Sequence, residues 1–540
     1  MINFNIKISR DWQKFTKKNI SLWVKGYIYS HTIDEIIDKF SVINKSEISS
    51  YVNSIDGHYA LIVNRHDLAF LIVDKIRSTP IFFTKIKNDF YIDYDPKNLV
   101  KLMGFDKSIN ENAKLEISMS GFTVGSKTLF ENLHSLKAGE IVILQNNSYE
   151  YLHYYQYFGE LIKKSFSKHL EELSDVTLKI FKKMLKKIGD RQIVIPLSAG
   201  NDSRLVASIL KHLGAKNVKC YSYGTPGNFE AKIAKVISEK LDYEWKFIPL
   251  THKSEKKFYK SKDYKDYLDF GETYCSVPYI QSLSTIKYLK DMNWINQDAV
   301  FINGNSGDFI SGGHVKIKNK DDYQIKDILL RKENILSQLI EKHFSLWAYL
   351  KNDNNLKKLK TNLWNEIQKG CGEYQTTTND HLLYEYSELI DRQSKYVITG
   401  QKVFEYYKHE WRLPLWDDEY LFFWQKVPLE FKLKQKLFIE MLKKNNFGNV
   451  WGDDFPVNKK TIVPKWIIPL RYICKIPFSF FGMRGKRAWK QFDINFFFYF
   501  RDVNHMMDTQ NYFNIIKDIF KGPRNHVSWQ TKDYLKKIVR

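Results

Sequence analysis

The sequence predicts an α/β protein with two domains, a β-rich domain at residues 1–160 and a domain built around a parallel sheet at residues 161–540. Up to about Phe158, short apolar runs alternate with turn residues, which is typical of strands. Strands and amphipathic helices then alternate between residues 192 and 250, and this order indicates a parallel sheet with crossover helices. From about Asp322 onward the pattern is mostly helical.

The predicted strands of the first domain are runs of branched and aromatic residues bounded by Gly, Asn, Asp or Pro. These runs are SLWVKGYIYS, HYALIVNR, LAFLIVDK, PIFFTKIK and EIVILQ. In the second domain the predicted order is strand 192–197, helix 202–213, strand 217–223, helix 228–241 and strand 244–250. Val206, Ile209, Leu210 and Leu213 recur on one face of the first of these helices, as the helical period requires.

The chain is strongly basic, with a formal net charge of +23. Such a surplus can indicate nucleic acid, an anionic membrane or acidic small molecules as partners. The lysines are spread along the whole chain, however, so we favour solvated side chains and do not expect a nucleic-acid partner. Cys220, Cys275, Cys371 and Cys474 lie far apart without metal-ligand spacing. Together with the absence of a secretory or membrane-spanning apolar run, this predicts a cytoplasmic protein.

A cluster of small and polar residues, from Ser198 to Ser203, follows the first strand of the predicted parallel sheet. Ligands of open α/β sheets bind outside the carboxyl ends of the strands. Backbone N–H groups of small residues and the start of the next helix attract an anion, and serine hydroxyls donate to phosphate oxygens. Asp202 is suited to a Mg²⁺ ion bridging those oxygens. The alternative is an ordinary helix start capped by Asn201 or Asp202.

This cluster resembles the Ser-Gly-Gly-x-Asp-Ser signature of the PP-loop ATP pyrophosphatase superfamily, with Ala199 in place of the first glycine. In that superfamily the loop binds the pyrophosphate that leaves ATP. A second stretch, NGNSGDFISGGH at residues 303–314, resembles the second signature of the asparagine synthetase family. The resemblance implies that Asp202 and Asp308 share a Mg²⁺ ion held by ATP. Asn305 replaces the family's glutamate of the amide-forming step, so it is a catalytic candidate in an altered acceptor pocket.

A third stretch, EWRLPLWDDEYLFFWQKVPLEFK, resembles the family's Arg-x-Pro-Phe-Leu-Asp block through Arg412, Pro414 and Asp417, which we interpret as structural. Farther on, Lys460 or its neighbour Lys459 is the candidate for the family's lysine that steadies the leaving pyrophosphate, and a solvated lysine pair is the alternative. The residues implied to bind the nucleotide, including an adenine pocket after the second strand, are Leu197, Ser198, Ala199, Gly200, Asn201, Asp202, Ser203, Ser222, Tyr223, Gly224 and Gly304.

The resemblance implies an N-terminal Ntn-type sandwich of the αββα kind, from the class II glutamine amidotransferases, followed by a PP-loop synthetase domain with a helical C-terminal part. The sandwich departs from its family. The chain begins Met-Ile-Asn instead of Met-Cys, and Lys25 and Tyr27 replace the expected oxyanion asparagine and the substrate-binding glutamate. We therefore expect no glutaminase activity from this domain.

The function that we predict is an ATP-dependent, AMP-forming amide synthetase. Segments of the sequence are also similar to asparagine-synthetase-like proteins encoded with bacterial surface-polysaccharide genes. This similarity implies a sugar uronate or a related glycan-linked carboxylate as substrate. Ammonia or an amine, supplied by a separate glutaminase or free, would be the second substrate. Two alternatives remain: a sulfur-transferring or tRNA-modifying PP-loop enzyme, and a non-catalytic scaffold. The basic aromatic segment FFGMRGKRAWKQFDINFFFYF is a candidate for peripheral membrane contact, although we favour a packed helix pair.

Overall fold

A computed structural model describes the protein at residues 4–8, 11–17, 19–66, 68–104, 107–315, 328–372, 380–457 and 466–539. Two facing sheets form the N-terminal part. The four-stranded sheet has the order β1-β7-β6-β8 and the six-stranded sheet the order β10-β9-β5-β4-β3-β2. The strands are β1 Phe4–Lys7, β2 Gln13–Lys17, β3 Ile20–Ile28, β4 Gly57–Arg65, β5 Leu68–Val73, β6 Phe82–Ile86, β7 Asp89–Asp93, β8 His134–Ser135, β9 Glu140–Gln145 and β10 Ser148–His153.

The alternation of side chains along β4 shows how the six-stranded sheet is covered on both faces. Ala60 and Ile62 point into the core between the two sheets, whereas Leu61 and Val63 belong to the core under two helices. Those helices are α1 Ile33–Val42 and α2 Lys45–Ser54, and α3 Pro96–Met103 packs on β6 and β7 of the other sheet. The layers are therefore helix, sheet, sheet and helix, which confirms the αββα prediction. A fourth helix, α4 Glu111–Ser120, follows.

The second part contains a five-stranded sheet whose paired strands all run parallel, in the order β13-β12-β11-β14-β15. Its strands are β11 Ile193–Pro196, β12 Val218–Gly224, β13 Glu244–Pro249, β14 Val300–Ile302 and β15 Glu410–Arg412. The helices along this part are α5 Phe166–Ile188, α6 Asn201–His212, α7 Phe229–Lys240, α8 His252–Phe258, α9 Lys262–Phe270, α10 Leu283–Asp291 and α11 Gly307–Ile310. The predicted alternation of strands and helices between residues 192 and 250 is confirmed.

The remaining regular structure is mostly helical, as predicted. The helices are α12 Ile328–His343, α13 Asp353–Cys371, α14 Asp380–Glu388, α15 Lys402–Tyr406, α16 Asp418–Trp424, α17 Leu429–Lys432, α18 Lys436–Asn445, α19 Ile467–Ser479, α20 Gly482–Arg501, α21 Tyr512–Lys517 and α22 His526–Ile538. A π-helical segment, Leu389–Val397, continues α14. Across the described residues, every helix is either too short or too polar to cross a bilayer.

Candidate functional site

A cavity of about 490 Å³ lies at the carboxyl ends of the parallel strands. The chain proceeds from β11 through β12 to β13 on one side of the sheet, and β14 and β15 lie on the other side of β11. The loops after β11 and β14 therefore diverge at the point where strand order reverses, which is where such sheets bind ligands. Both sequence clusters, the one that begins at Ser198 and the one that begins at Asn303, line this cavity.

The loop after β11 is held in place by its own serines. The Ser198 N–H donates to Ser203 Oγ at 3.0 Å, and the Gly200 N–H donates to Ser198 Oγ at 3.1 Å. Gly200 is the N-cap of α6 and no side chain caps that helix, so the alternative of a cap by Asn201 or Asp202 is wrong. The uncapped start of a 12-residue helix therefore faces a cavity lined by two serine hydroxyls. This arrangement suits an anion.

The two aspartates meet across the loops. The Asp308 N–H donates to Asp202 Oδ2 at 3.0 Å. A Cβ on Gly307 would lie 2.7 Å from Asp202 Oδ1, and one on Gly304 would lie 2.7 Å from the Asp202 carbonyl carbon. Glycine at both positions is therefore what lets the second loop approach the first. Burial and then the neighbouring Asp308 charge raise the pKa of Asp202 to about 7, against the opposing hydrogen bonds from the backbone.

Asp308 faces the cavity, with 54% of its side chain exposed, and a histidine holds it there. His314 Nε2 lies 3.1 Å from Asp308 Oδ2, and His314 Nδ1 lies 2.6 Å from Glu388 Oε1. Burial opposes a charge on His314, but Glu388 and Asp308 outweigh it and raise the His314 pKa. Glu388 is fully buried and also bonds His343 and Gln393. This network is not predictable from the sequence, because its members come from loops and helices that are far apart in the chain.

Arg392 is a second residue that the sequence analysis missed. It lines the cavity, with 31% of its side chain exposed, and its Nη1 lies 3.6 Å from Glu388 Oε1. Among the described residues around the cavity it is the one lysine or arginine. In the sequence it reads as half of an ordinary helical Glu–Arg pair at i and i+4, so no local signal separates it from a surface charge.

Family comparisons agree with this geometry. A glutamine amidotransferase domain matches residues 42–156, and an asparagine synthase domain matches residues 182–445. The chain is an asparagine-synthase-like protein with an N-terminal glutamine amidotransferase domain. The second match supports an ATP-dependent enzyme of the ligase type. No curated protein sequence matches the chain.

Two solved structures are similar over part of the chain. One is glutamine phosphoribosylpyrophosphate amidotransferase from B. subtilis complexed with ADP and GMP, at 9% identity and a TM-score of 0.17 over 54% of this chain and 63% of that one. The other is described as the allosteric regulatory enzyme of purine biosynthesis, at 8% identity and a TM-score of 0.17 over 55% of this chain and 58% of that one. The chain thus spans less than two thirds of either structure, and neither likeness carries an argument about activity.

The nucleotide-binding prediction divides into residues that line the cavity and residues that do not. Leu197, Ser198, Gly200, Asn201, Asp202, Ser203, Ser222, Tyr223, Gly304, Asn305 and Asp308 line it. Ala199 does not, because its side chain is buried and its carbonyl accepts from Arg204 Nη2 at 2.8 Å. Gly224 packs against Val503 instead. Lys459 and Lys460 lie outside the described residues; Val457, two positions before Lys459, lines the cavity.

In the amidotransferase domain, the two replaced positions contact the asparagine synthase domain. The Lys25 ammonium forms an ion pair with Glu405 at 2.9 Å and lies 4.1 Å from the centre of the Tyr94 ring. The Tyr27 hydroxyl lies 2.6 Å from His58 Nδ1, and the Arg412 guanidinium stacks on the Tyr27 ring at 4.0 Å. The Lys25 and Tyr27 side chains are therefore engaged in contacts between the two domains.

Proposed function

We propose that the protein is an AMP-forming amide synthetase that adenylates a carboxylate with ATP and transfers ammonia or an amine to it. The observation that carries this proposal is the meeting of Asp202 and Asp308 in a cavity at the strand-order switch point. A phosphate-binding loop alone would fit many nucleotide enzymes. Two loops that bring paired carboxylates to one anion site fit an enzyme that stabilises a leaving pyrophosphate.

Asp202 and Asp308 are the residues that would hold Mg²⁺. They fit a cation because Asp202 is buried with a raised pKa, and among the described residues no lysine or arginine forms an ion pair with it. Both groups are carboxylates, which is the ligand type that Mg²⁺ prefers. When bound, the ion would neutralise charge on the phosphate oxygens of ATP. His314 and Gly307 would keep the two carboxylates in place.

In the proposed reaction a carboxylate oxygen of the substrate attacks the α-phosphorus of ATP. The bond from that phosphorus to the bridging oxygen breaks, and pyrophosphate leaves with the electron pair. The nitrogen of ammonia or an amine then attacks the acyl carbon, AMP leaves, and the nitrogen loses a proton. Ser198, Ser203 and the start of α6 would bind the pyrophosphate, and Arg392 would offset its charge or orient the substrate carboxylate.

The substrate that we propose is a sugar uronate or a related precursor of a polysaccharide. Amide and hydroxyl side chains make up much of the cavity wall away from the two loops. They include Tyr279, Gln281, Ser282, Gln401, Gln435 and Asn504. Such groups donate and accept hydrogen bonds, which suits a substrate rich in hydroxyls. Asn305 also lines the cavity. A neutral amide there, in place of the family's carboxylate, would change how the site binds the amine substrate.

We further propose that the amidotransferase domain does not hydrolyse glutamine, so that ammonia comes from another source. Lys25 and Tyr27, which replace the family's oxyanion and substrate residues, are engaged by Glu405 and Arg412 of the other domain. Neither side chain is free to bind glutamine. Sulfur transfer is less well supported, because no cysteine is among the described residues that line the cavity.

The test is release of pyrophosphate from ATP by wild type and Asp202→Asn in the presence of candidate carboxylates and ammonium. Loss of one carboxylate of the pair should lower the rate by at least about 100-fold, in line with the removal of one electrostatic stabiliser. Asp242→Asn is the control, because Asp242 is 94% exposed and precedes β13 at the opposite end of the sheet. Full activity of Asp202→Asn would refute the proposal. Wild-type activity no higher than background, as expected of a non-catalytic scaffold, would refute it as well.

A further inference from the structure

A second cluster of metal-ligating side chains lies outside the cavity. His252 begins α8, and His505 and Asp508 lie in the turn that follows α20. His252 Nδ1 lies 2.8 Å from Asp508 Oδ2, and His505 Nδ1 lies 3.3 Å from the same oxygen. The two Nδ1 atoms are themselves 3.3 Å apart. Three potential ligand atoms from two distant segments thus converge on one point.

Thr225 lies against the outer side of the His505 ring, so Nδ1 is the ring nitrogen that faces that point. The Thr225 hydroxyl donates to the Val503 carbonyl at 3.3 Å, and its oxygen lies 3.2 Å from His505 Nε2. On its other side, His505 Nδ1 faces His252 Nδ1 and the Asp508 carboxylate.

We propose that His252, His505 and Asp508 bind a divalent transition-metal ion, for which Zn²⁺ is the best match. Two imidazole nitrogens and one carboxylate oxygen form a common ligand set for zinc, and bonds of about 2.0–2.1 Å place tetrahedral ligands about 3.3 Å apart. The other oxygen of Asp508 accepts from the Tyr499 hydroxyl at 2.6 Å, which orients the carboxylate as outer partners do in metal sites. His252 is 38% exposed, so solvent can reach the fourth position.

Lys256 is the positive group that opposes a metal here, and its position limits that effect. Its Nζ lies 3.9 Å from Asp508 Oδ1, the oxygen that also binds Tyr499. The two histidines lie against Oδ2 instead. The lysine therefore interacts with the side of the carboxylate that faces away from the proposed ion.

The ion would join the C-terminal segment to the wall of the nucleotide cavity. Val503 accepts the Thr225 N–H at 2.8 Å, and Asn504 lines the cavity itself. Thr225 directly follows β12, whose end supplies Ser222 and Tyr223 to the cavity. A metal at the cluster would therefore stabilise this turn against the synthetase sheet, with a structural role independent of the reaction.

The test is calorimetric titration of the full-length protein, after treatment with a chelator, with ZnCl₂. We expect one site per chain that weakens at least about 10-fold in His252→Ala and in Asp508→Asn, together with a rise in Tm on addition of Zn²⁺ that both variants lose. Asp508→Asn retains an acceptor for Tyr499 and so separates metal binding from folding. His31→Ala in the N-terminal domain is the control. Equal Zn²⁺ binding by wild type and both variants would show that the ion binds elsewhere, and that result, or no binding by wild type, would overturn the proposal.

A different observation concerns the helical hairpin formed by α19 and α20. Its two helices pack against each other through ring contacts of Phe478 with Trp489 and Phe492, which agrees with the favoured helix pair. The connection between them nevertheless projects large apolar side chains into solvent. The residues at and near the tip that are more than half exposed are Tyr472, Ile473, Ile476, Phe480, Phe481 and Met483. An apolar patch of this kind marks an interaction site.

The charges around the tip identify the class of partner. From Trp466 to Phe492 the sequence has no aspartate or glutamate. It has six basic residues in the same stretch, Arg471, Lys475, Arg484, Lys486, Arg487 and Lys490. Arg471 is used internally, in a bidentate pair with Asp493 at 2.7 and 2.8 Å, and the other five are exposed. A second copy of this hairpin would bring like charges together, whereas an anionic bilayer complements both features.

We infer that the tip of this hairpin inserts into the surface of an anionic phospholipid bilayer. Phe497 and Tyr499 are buried near the far end of α20, and the Tyr499 hydroxyl donates to Asp508 at 2.6 Å, so the base of the hairpin is anchored while the tip projects. Aromatic and aliphatic tip residues would enter the headgroup region, and the lysines and arginines would contact lipid phosphates.

The test is cosedimentation of the full-length protein with vesicles of phosphatidylglycerol and phosphatidylcholine, compared with phosphatidylcholine alone. We expect binding to the anionic vesicles that weakens at high salt, and at least a 10-fold loss in the double variant Phe480→Ser, Phe481→Ser. Phe520→Ser is the matched control, because Phe520 is 99% exposed elsewhere on the surface. Binding that is equal in the tip variant would overturn the inference. So would absence of vesicle binding together with a lipid-free dimer that the tip variant abolishes.

Discussion

The ion pair between Lys25 and Glu405 gives the most quantitative prediction about how the two domains hold together. Lys25 is 8% exposed, and its ammonium lies 2.9 Å from Glu405 Oε2. Burial opposes ionisation of Glu405, but the Lys25 charge outweighs it and lowers the Glu405 pKa. Lys25→Ala would therefore leave a charged carboxylate at a buried interface.

Loss of one partner from a buried ion pair costs about 3–5 kcal/mol. Two neutral donors would remain on Glu405, the Tyr94 hydroxyl at 3.2 Å and the Trp411 indole N–H at 3.0 Å. Lys402 would also compensate: burial lowers its pKa to about 8, against the attraction of Glu405, and removing Lys25 would let it take a proton more readily. We therefore expect a destabilisation at the lower end of this range, about 3 kcal/mol. For a domain of about 160 residues, this corresponds to a fall in Tm of about 6–12 °C.

The measurement is thermal unfolding of Lys25→Ala by calorimetry at pH 7, with Lys39→Ala as the control. Lys39 pairs with Glu47 in the same domain at 3.1 Å, but both side chains are more than a third exposed, so that variant should unfold close to wild type. A Lys25→Ala protein as stable as wild type would refute the view that Lys25 is an interdomain residue.

Three further variants test the site and the stability of the fold. Gly307→Ala should lower ATP affinity at least about 10-fold, because its Cβ would lie 2.7 Å from Asp202 Oδ1. Gly452→Ala is the control and should bind ATP normally, because the space around its added Cβ is open. Normal ATP binding by both variants would contradict the packing argument. Arg392→Met should raise the KM for ATP or the carboxylate about 10- to 100-fold, because a hydrogen bond to a charged group contributes about 1.5–3 kcal/mol. Arg392→Lys should recover part of this loss. Unchanged kinetics in Arg392→Met would exclude a binding role for Arg392. Burial lowers the pKa of His134 to about 4, so the folded protein resists protonation of this side chain, and stability should fall by about 2–3 kcal/mol as pH decreases from 6.5 toward 4. The pH dependence of Tm should shrink in His134→Phe, and an identical pH profile would contradict that assignment.

The parts of the site that the sequence predicts are those encoded in contiguous loops. The cluster at Ser198–Ser203 and the stretch beginning at Asn303 each carry a local pattern, and each follows a strand of the parallel sheet. Their meeting follows from the rule that parallel strands end at one edge. Gly224 does not follow this rule, because the space beside it at the end of β12 is taken by Val503, nearly 280 residues later in the chain.

The parts that the sequence does not predict depend on long-range packing. The bond between His314 and Glu388 joins residues 74 positions apart, and the bond between His252 and Asp508 joins residues 256 positions apart. Neither pair has a spacing that distinguishes it from ordinary surface charges. In the amidotransferase domain, replacement of two family residues at Lys25 and Tyr27 is visible in the sequence, but their use as contacts to the second domain is visible only in the fold.

Formation of pyrophosphate and AMP from ATP tests the central claim most directly. The wild-type protein would be incubated with ATP, Mg²⁺ and ammonium or simple amines, across a panel of uronic acids, sugar nucleotides and amino acids, and the nucleotide products would be separated. The proposed function predicts pyrophosphate and AMP in equal amounts, dependent on one class of carboxylate and lost in Asp202→Asn. Phosphate and ADP as the products would contradict it.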